Sequence, residues 1–179
     1  MILGIDEILK LVKENNLLEN LSERELNNPE GAGIDLRVGK LFKLEGRGFL
    51  GIEERETPKG ILVAEYNPDK KTSMVINPGE YYLTESFEKF NMPSNLLAVI
   101  KPRTTLHRSG IITRVSVVDP GYSGTIHPAL YNAGPSPLEI ELGARYVNAM
   151  FYEVKGKTNP YRGQWQGGRI DTSGREKQV

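Results

Sequence analysis

Asp119 is the side chain best placed to do chemistry. It closes the run Val115-Ser116-Val117-Val118 and is followed by Pro120-Gly121-Tyr122-Ser123-Gly124. The valines predict a strand ending at Asp119, and Pro-Gly then stops regular pairing and exposes the backbone. A carboxylate on a rigid strand end, with an aromatic ring three residues later, can act as a general base. The same residues also suit a plain Asp-Pro-Gly turn whose carboxylate bonds only its own backbone. The rest of the chain has to decide between these.

Four other segments could join it. Gly31-Ala32-Gly33-Ile34-Asp35-Leu36-Arg37 opens with small residues and then alternates charge with apolar groups. Taken alone it fits a half-buried strand with its charges in water. Lys101-Pro102-Arg103-Thr104-Thr105-Leu106-His107-Arg108-Ser109-Gly110 crowds cations and hydroxyls into one stretch. Guanidinium groups bind phosphate oxygens in pairs, and Thr hydroxyls donate without adding charge. A polar turn between strands would have the same composition. Gly143–Phe151 is a turn leading into a strand, with Arg145 and Asn148 able to face a ligand. Tyr161-Arg162-Gly163-Gln164-Trp165-Gln166-Gly167-Gly168-Arg169 sets the only Trp among glycines and arginines, a make-up that suits stacking on a nucleotide or a disordered tail.

The elements that must position these groups are mostly strands. Ile5, Ile8, Leu9 and Val12 have helical spacing, and Asp6 and Glu7 suit a helix N-terminus, which predicts one helix over roughly residues 5–15. Short apolar or alternating runs follow, at 34–38, 41–44, 61–65, 74–76, 81–84, 96–100, 111–118, 125–131, 138–140 and 144–154. The 19 Gly and 11 Pro gather between them, the punctuation of a β-barrel or sandwich. Residues 46–60 read as a long hairpin or surface loop. Periodicity fades after Lys155, so residues 1–155 are expected to form one barrel domain with its N-terminal helix. Residues 156–179 are expected to be a flexible tail that could serve as an active-site lid.

Composition removes several function classes. Lys plus Arg and Asp plus Glu both number 23, so no basic surface is available for non-specific nucleic-acid binding. There is no cysteine, which excludes disulfides, thiolate metal sites and thiol nucleophiles, and His107 and His127 are too few for a His-rich metal site. With no apolar stretch long enough for a signal peptide or membrane span, a soluble cytoplasmic protein is expected.

In order and identity, these segments resemble the trimeric dUTPase and dCTP deaminase superfamily over nearly the whole chain. Met1-Ile2-Leu3 with the following helix, Ala32–Gly39 and Asn77-Pro78-Gly79-Glu80-Tyr81-Tyr82-Leu83 look like the deaminase branch. Pro102–Gly110 resembles the phosphate-binding motif, Val117–Gly124 the motif with the catalytic aspartate and sugar-contacting aromatic, and Gly143–Phe151 the fourth motif. The resemblance implies a mainly β, distorted barrel or jelly-roll-like fold and a homotrimer with sites between subunits. It also implies Mg²⁺ as cofactor, approached by Asp35 through water. Asp119 would activate water. Arg103, Thr104, Thr105, Arg108 and Asn148 would bind phosphates, Tyr122 would pack under deoxyribose, and backbone between Gly110 and Asp119 would read uracil. Thr104 stands where Ser is usual and Asn148 where Gln is common. The tail lacks the Arg-Gly…Phe-Gly-Ser pattern, and Arg162 and Trp165 are assigned its work.

One position separates the family's two reactions. Deaminases of this type resemble Thr-Leu-Glu-Leu-x-Asn on the strand after the aspartate motif. Here the stretch is His127-Pro128-Ala129-Leu130-Tyr131-Asn132, with Ala129 in place of the glutamate. Deamination needs a group to move protons to the leaving ammonia, and alanine has none. The expectation is therefore a dUTP diphosphatase making dUMP and pyrophosphate. The alternatives are a dCTP deaminase or bifunctional enzyme, for which Glu139 or Glu141 would have to reach the base, and a non-catalytic nucleotide-binding regulator.

Overall fold

The computed structural model describes residues 1–178. Helix α1 (Ile5–Asn15) stops where Asn16 adopts the left-handed conformation, φ 53°, and its N–H bonds the Leu11 carbonyl. Strand β1 (Leu18–Glu19) leads to a short helix α2 (Glu23–Asn27), capped by the Ser22 hydroxyl on Glu25 N–H. Then come β2 (Ile34–Glu45), β3 (Phe49–Leu50), β4 (Glu54–Glu56), β5 (Lys59–Glu65), β6 (Ser73–Ile76), β7 (Tyr81–Ser86), β8 (Lys89–Asn91) and β9 (Leu96–Pro102). Helix α3 (Thr104–Arg108) precedes β10 (Ile111–Arg114), β11 (Ser123–Gly124), β12 (Ala129–Asn132), β13 (Leu138–Glu141), β14 (Arg145–Glu153) and β15 (Glu176–Lys177).

The expected mainly β, barrel-like fold is present. The principal sheet runs β10-β12-β7-β2-β14-β9, with β5 also paired to β2. A bridge between Ala98 and Val118 returns the β9 edge to the segment leaving β10, so the sheet nearly closes on itself. Its interior holds Ile34, Leu36, Tyr82, Leu130, Tyr146 and Phe151, with α1 plugging one side through Ile8. Tyr146 keeps its hydroxyl satisfied at 3.0 Å from Thr84 Oγ1, as a fully buried phenol requires. Burial pushes that phenol far above its ordinary value.

Two boundaries differ from the sequence reading. The apolar run 111–118 is not one strand: β10 ends at Arg114, and only Val118 pairs again. Helix α2, only five residues long, shows no apolar period that would announce it. No helix among the described residues is long and apolar enough to cross a membrane.

Candidate active site

Asp119 sits at a type II turn. Pro120 takes the second position, Gly121 the third at φ 79°, and Tyr122 N–H bonds the Asp119 carbonyl at 3.1 Å. The turn of the plain alternative therefore forms, but among the described residues no hydrogen bond or ion pair engages the Asp119 carboxylate. That carboxylate instead lines a cavity of about 500 Å³. Leu44, Tyr81, Leu83 and Ile126 of the barrel line one part, and the segment Val115–Val118 lines another. The remaining wall comes from Tyr161, Trp165, Arg169 and Ile170, all from the chain's C-terminal segment.

Tyr122 is buried beside Asp119, with its hydroxyl donating to the Thr125 carbonyl and its ring edge-on to Tyr161 at 5.4 Å. Burial pushes its phenol up to about 12, so it is a neutral platform rather than an acid or base. Tyr161 N–H bonds the Pro120 carbonyl at 2.7 Å, and Gln166 bridges the same turn, accepting from Ser123 N–H and donating to the Gly121 carbonyl, both at 3.0 Å. Further on, Thr172 is fully buried and exchanges two hydrogen bonds of 3.0 Å with Thr57. The segment expected as a tail thus lines the cavity as far as Ile170 and then runs along Thr57 and β4 through residue 178. Val179 lies outside the described residues.

The phosphate-type motif lies elsewhere in the single chain. Three strands bring its partners into one row: Asn148 on β14 is opposite both Asp35 on β2 and Lys101 on β9, and Arg103 N–H bonds the Tyr146 carbonyl. Gly33 permits this approach, because a Cβ there would lie 2.2 Å from Asn148 Oδ1 and 2.8 Å from the Ala149 carbonyl. Asp35 accepts from Asn148 Nδ2 at 2.9 Å and Arg145 Nη1 at 3.0 Å, and is ion-paired with Arg103. Beneath them Glu25, almost wholly buried, accepts from Asp35 N–H at 3.0 Å and faces Arg145 at 3.5 Å. Burial, with Arg145 and Arg24 nearby, pulls the Arg103 guanidinium below arginine's usual value. Thr104, Thr105 and Arg108 project into solvent from α3, where Leu106 is the buried anchor. Arg162 is exposed and does not line the cavity.

These residues form no Mg²⁺ site by themselves within one chain, whereas a Mg²⁺ carried on triphosphate oxygens would call on Asp35 only through water. Both Asp35 oxygens are engaged by cationic or amide donors, and the described residues contain no group of three or more His, Asp or Glu that could hold a metal.

Ala129 is buried on β12, opposite Leu83 on β7 and Arg114 on β10. Strand alternation puts it on the same sheet face as Tyr81, Leu83 and His127, which line the cavity. Glu139 and Glu141 lie on β13, paired with β6, and do not line it. Sequence reading passed over several residues that the fold brings to these two regions. His127 faces the cavity with Nε2 3.3 Å from Glu85, which also pairs with Lys40 at 2.9 Å. The buried Glu25 is another, and its one signal is the capping pattern Ser22-x-x-Glu25. Tyr161 and Arg169, the two ends of the candidate segment 161–169, do line the cavity beside Trp165.

The chain is thus a near-closed β-barrel with a carboxylate beside an apolar cavity and, apart from it, three arginines from α2, the N-cap of α3 and β14 gathered around Asp35 and Glu25. A model of the dCTP deaminase-like family matches residues 2–154, and the chain belongs to that family. It is 34% identical over 168 residues to a dCTP deaminase of Pyrococcus furiosus, covering 93% of this chain and 95% of that protein. It is 30% identical over 154 residues to a deoxyuridine 5′-triphosphate nucleotidohydrolase of Methanocaldococcus jannaschii, covering 85% of this chain and 94% of that one. Among solved structures, a 2′-deoxycytidine 5′-triphosphate deaminase from Agrobacterium tumefaciens superposes with TM-score 0.66 at 19% identity, over 86% of this chain. The chain spans about half of that protein, 48%, and the likeness is one of fold.

Proposed function

We propose that this chain is an enzyme acting on a pyrimidine deoxynucleoside triphosphate, and that its reaction is hydrolysis of dUTP to dUMP and pyrophosphate. The observation that supports it most is the Asp119 carboxylate, without a partner among the described residues at the wall of a cavity sized for a nucleoside. In this reading Asp119 accepts a proton from water as the water oxygen attacks the α-phosphorus. The bond from that phosphorus to the bridging oxygen breaks, and its electron pair leaves with pyrophosphate. Tyr122 and the apolar wall hold deoxyribose and base. Arg103, Arg108, Thr104, Thr105 and Asn148 donate to phosphate oxygens.

We further propose the homotrimer that the family resemblance implies; the separation of Asp119 from the arginine row within one chain supports copies contributing them to a shared site. Ala129 is the residue that favours hydrolysis over deamination, because a buried methyl group beside the cavity cannot relay protons. The names of relatives such as the Pyrococcus furiosus protein favour the second reading, dCTP deamination. His127 with Glu85 is then the titratable pair in the cavity wall that would have to replace the glutamate.

One assay separates the readings. The protein is incubated with dUTP and with dCTP, and both pyrophosphate and ammonia are measured. Pyrophosphate from dUTP without ammonia from dCTP supports the hydrolase. Ammonia from dCTP overturns it in favour of the deaminase, and tight binding of either nucleotide without product makes the chain a regulator.

A further inference from the structure

The C-terminal strand sets a carboxylate against an arginine of the cavity wall. Arg169 lines that cavity and donates to Glu176 through both terminal nitrogens, at 3.1 and 2.8 Å. Glu176 stands on β15 directly opposite Arg55 on β4, with Arg55 Nε 3.8 Å from its carboxylate. Arg55 in turn lies 4.6 Å over the ring of Trp165, another cavity residue. Two guanidinium groups therefore share one carboxylate at this end of the cavity.

The sharing is incomplete. Nε and one terminal nitrogen of Arg55 are buried and have no hydrogen-bond acceptor among the described residues. A buried donor without an acceptor costs free energy, and an arginine offers five donors in a fixed fork. An acceptor with more oxygens than a carboxylate would satisfy both arginines together. A phosphate has that geometry, since the forked pairing that Arg169 makes with Glu176 is the one guanidinium makes with phosphate.

We propose that Arg55 and Arg169 form an anion site for the phosphate class beside the cavity, and that Glu176 occupies it as a tethered competitor until a ligand phosphate displaces it. The ligand is a polyphosphate chain, whether free or carried by a nucleotide. The tether is short and specific: Thr172 and Asp171 anchor the preceding residues on Thr57 and Gly60, so displacement of β15 need not unseat the wall made by Tyr161 and Trp165. The site adjoins, through Arg169, the cavity assigned to nucleotide above, but its existence does not depend on which reaction occurs there.

Calorimetric titration of the full chain with inorganic tripolyphosphate tests this without requiring turnover. Glu176→Gln removes the competing charge and should tighten tripolyphosphate binding by about three- to tenfold, a partly exposed charge pair being weakened by solvent. Arg169→Ala and Arg55→Ala should weaken it, and Arg169→Lys should recover only part of the loss, because lysine lacks the fork. In the double variant Glu176→Gln/Arg169→Ala the gain must vanish, which separates this site from the Arg103 row. Unchanged or weaker binding by Glu176→Gln overturns the proposal and makes Glu176 a strut that positions Arg169. A gain that survives loss of Arg169 also overturns it. Melting curves for each variant keep a folding defect from being read as a binding effect. If dUTP is not hydrolysed yet Glu176→Gln still binds more tightly, the anion site stands and the hydrolase reading falls.

Discussion

The cavity around Asp119 and the row around Asp35 settle their charges in opposite ways. In the cavity, apolar walls surround a carboxylate that no cation engages. In the row, Asp35 and Glu25 are held by Arg103, Arg145 and Arg24, so charges of both signs are already paired. The first arrangement leaves a base available. The second stores arginines in place, to be drawn from one anion to another. A phosphate arriving at the row competes with Asp35, whereas a water arriving at Asp119 competes with nothing. Pre-paired cations also keep the row intact in the absence of ligand, since three unpaired guanidiniums together would repel one another.

The largest break in that comparison is predicted at the free carboxylate. Asp119→Asn keeps shape but cannot accept a proton, and losing a general base costs about 10²–10⁴-fold in turnover. Nucleotide affinity and the melting temperature should change little, because nothing in the fold bonds that carboxylate. Wild-type kcat in this variant removes Asp119 from the base role.

Arg103→Ala comes next. A lost charge-assisted contact is worth roughly 1.5–3 kcal/mol, or about 10- to 100-fold in KM. It also leaves Asp35 with only Arg145 as its cationic partner, so a modest fall in stability should accompany the kinetic loss. Arg108→Ala, exposed and uninvolved in the ion-pair row, should raise KM without that fall. Equal stability losses in both would show that the contrast between paired and unpaired arginines has no energetic content.

Mixing the two inactive proteins sharpens the comparison. If Asp119 and Arg103 act across subunits, Asp119→Asn and Arg103→Ala chains refolded together should regain a fraction of wild-type turnover, since some sites receive both native groups. Turnover no higher than the sum of the separate proteins would place both residues in one chain's site.

The sequence carried the barrel because its strands are short, apolar and separated by Gly and Pro, a local signal that survives into the fold. Asp35, Arg103, Asp119, Tyr122 and Asn148 were legible as candidates because each sits in a contiguous motif, and the structure sets Asp119 and Tyr122 on the cavity and the other three in one row. Pairing partners were not legible. That Asn148 lies against Asp35 follows from strand register, and Gly33 shows its reason only when the facing Asn148 is known. The valines before Asp119 looked like one strand because alternation continues past Arg114, although pairing does not. The path of residues 156–178 was illegible for another reason. Its anchors are scattered, from the Tyr161 ring on Tyr122 to the two hydrogen bonds between Thr172 and Thr57 and the short strand β15, and no hydrophobic period announces them.

The smallest effect is expected at the pair His127 and Glu85 on the cavity wall. Burial raises the Glu85 carboxyl, but His127 and Lys40 outweigh it and hold the group below the usual glutamate range. With its folded value depressed, Glu85 contributes stability above the unfolded-state value, and that contribution is lost as pH falls through the folded one. The unfolded chain takes up the proton first, so acidification below about pH 4.5 favours unfolding. Glu85→Gln removes this proton uptake. Its melting temperature should therefore lie slightly below wild type at neutral pH and converge with it as the buffer is taken from pH 6 to pH 3. Parallel curves across that range would mean that Glu85 titrates alike in folded and unfolded chains, and that its ion pairs with His127 and Lys40 carry no net energy.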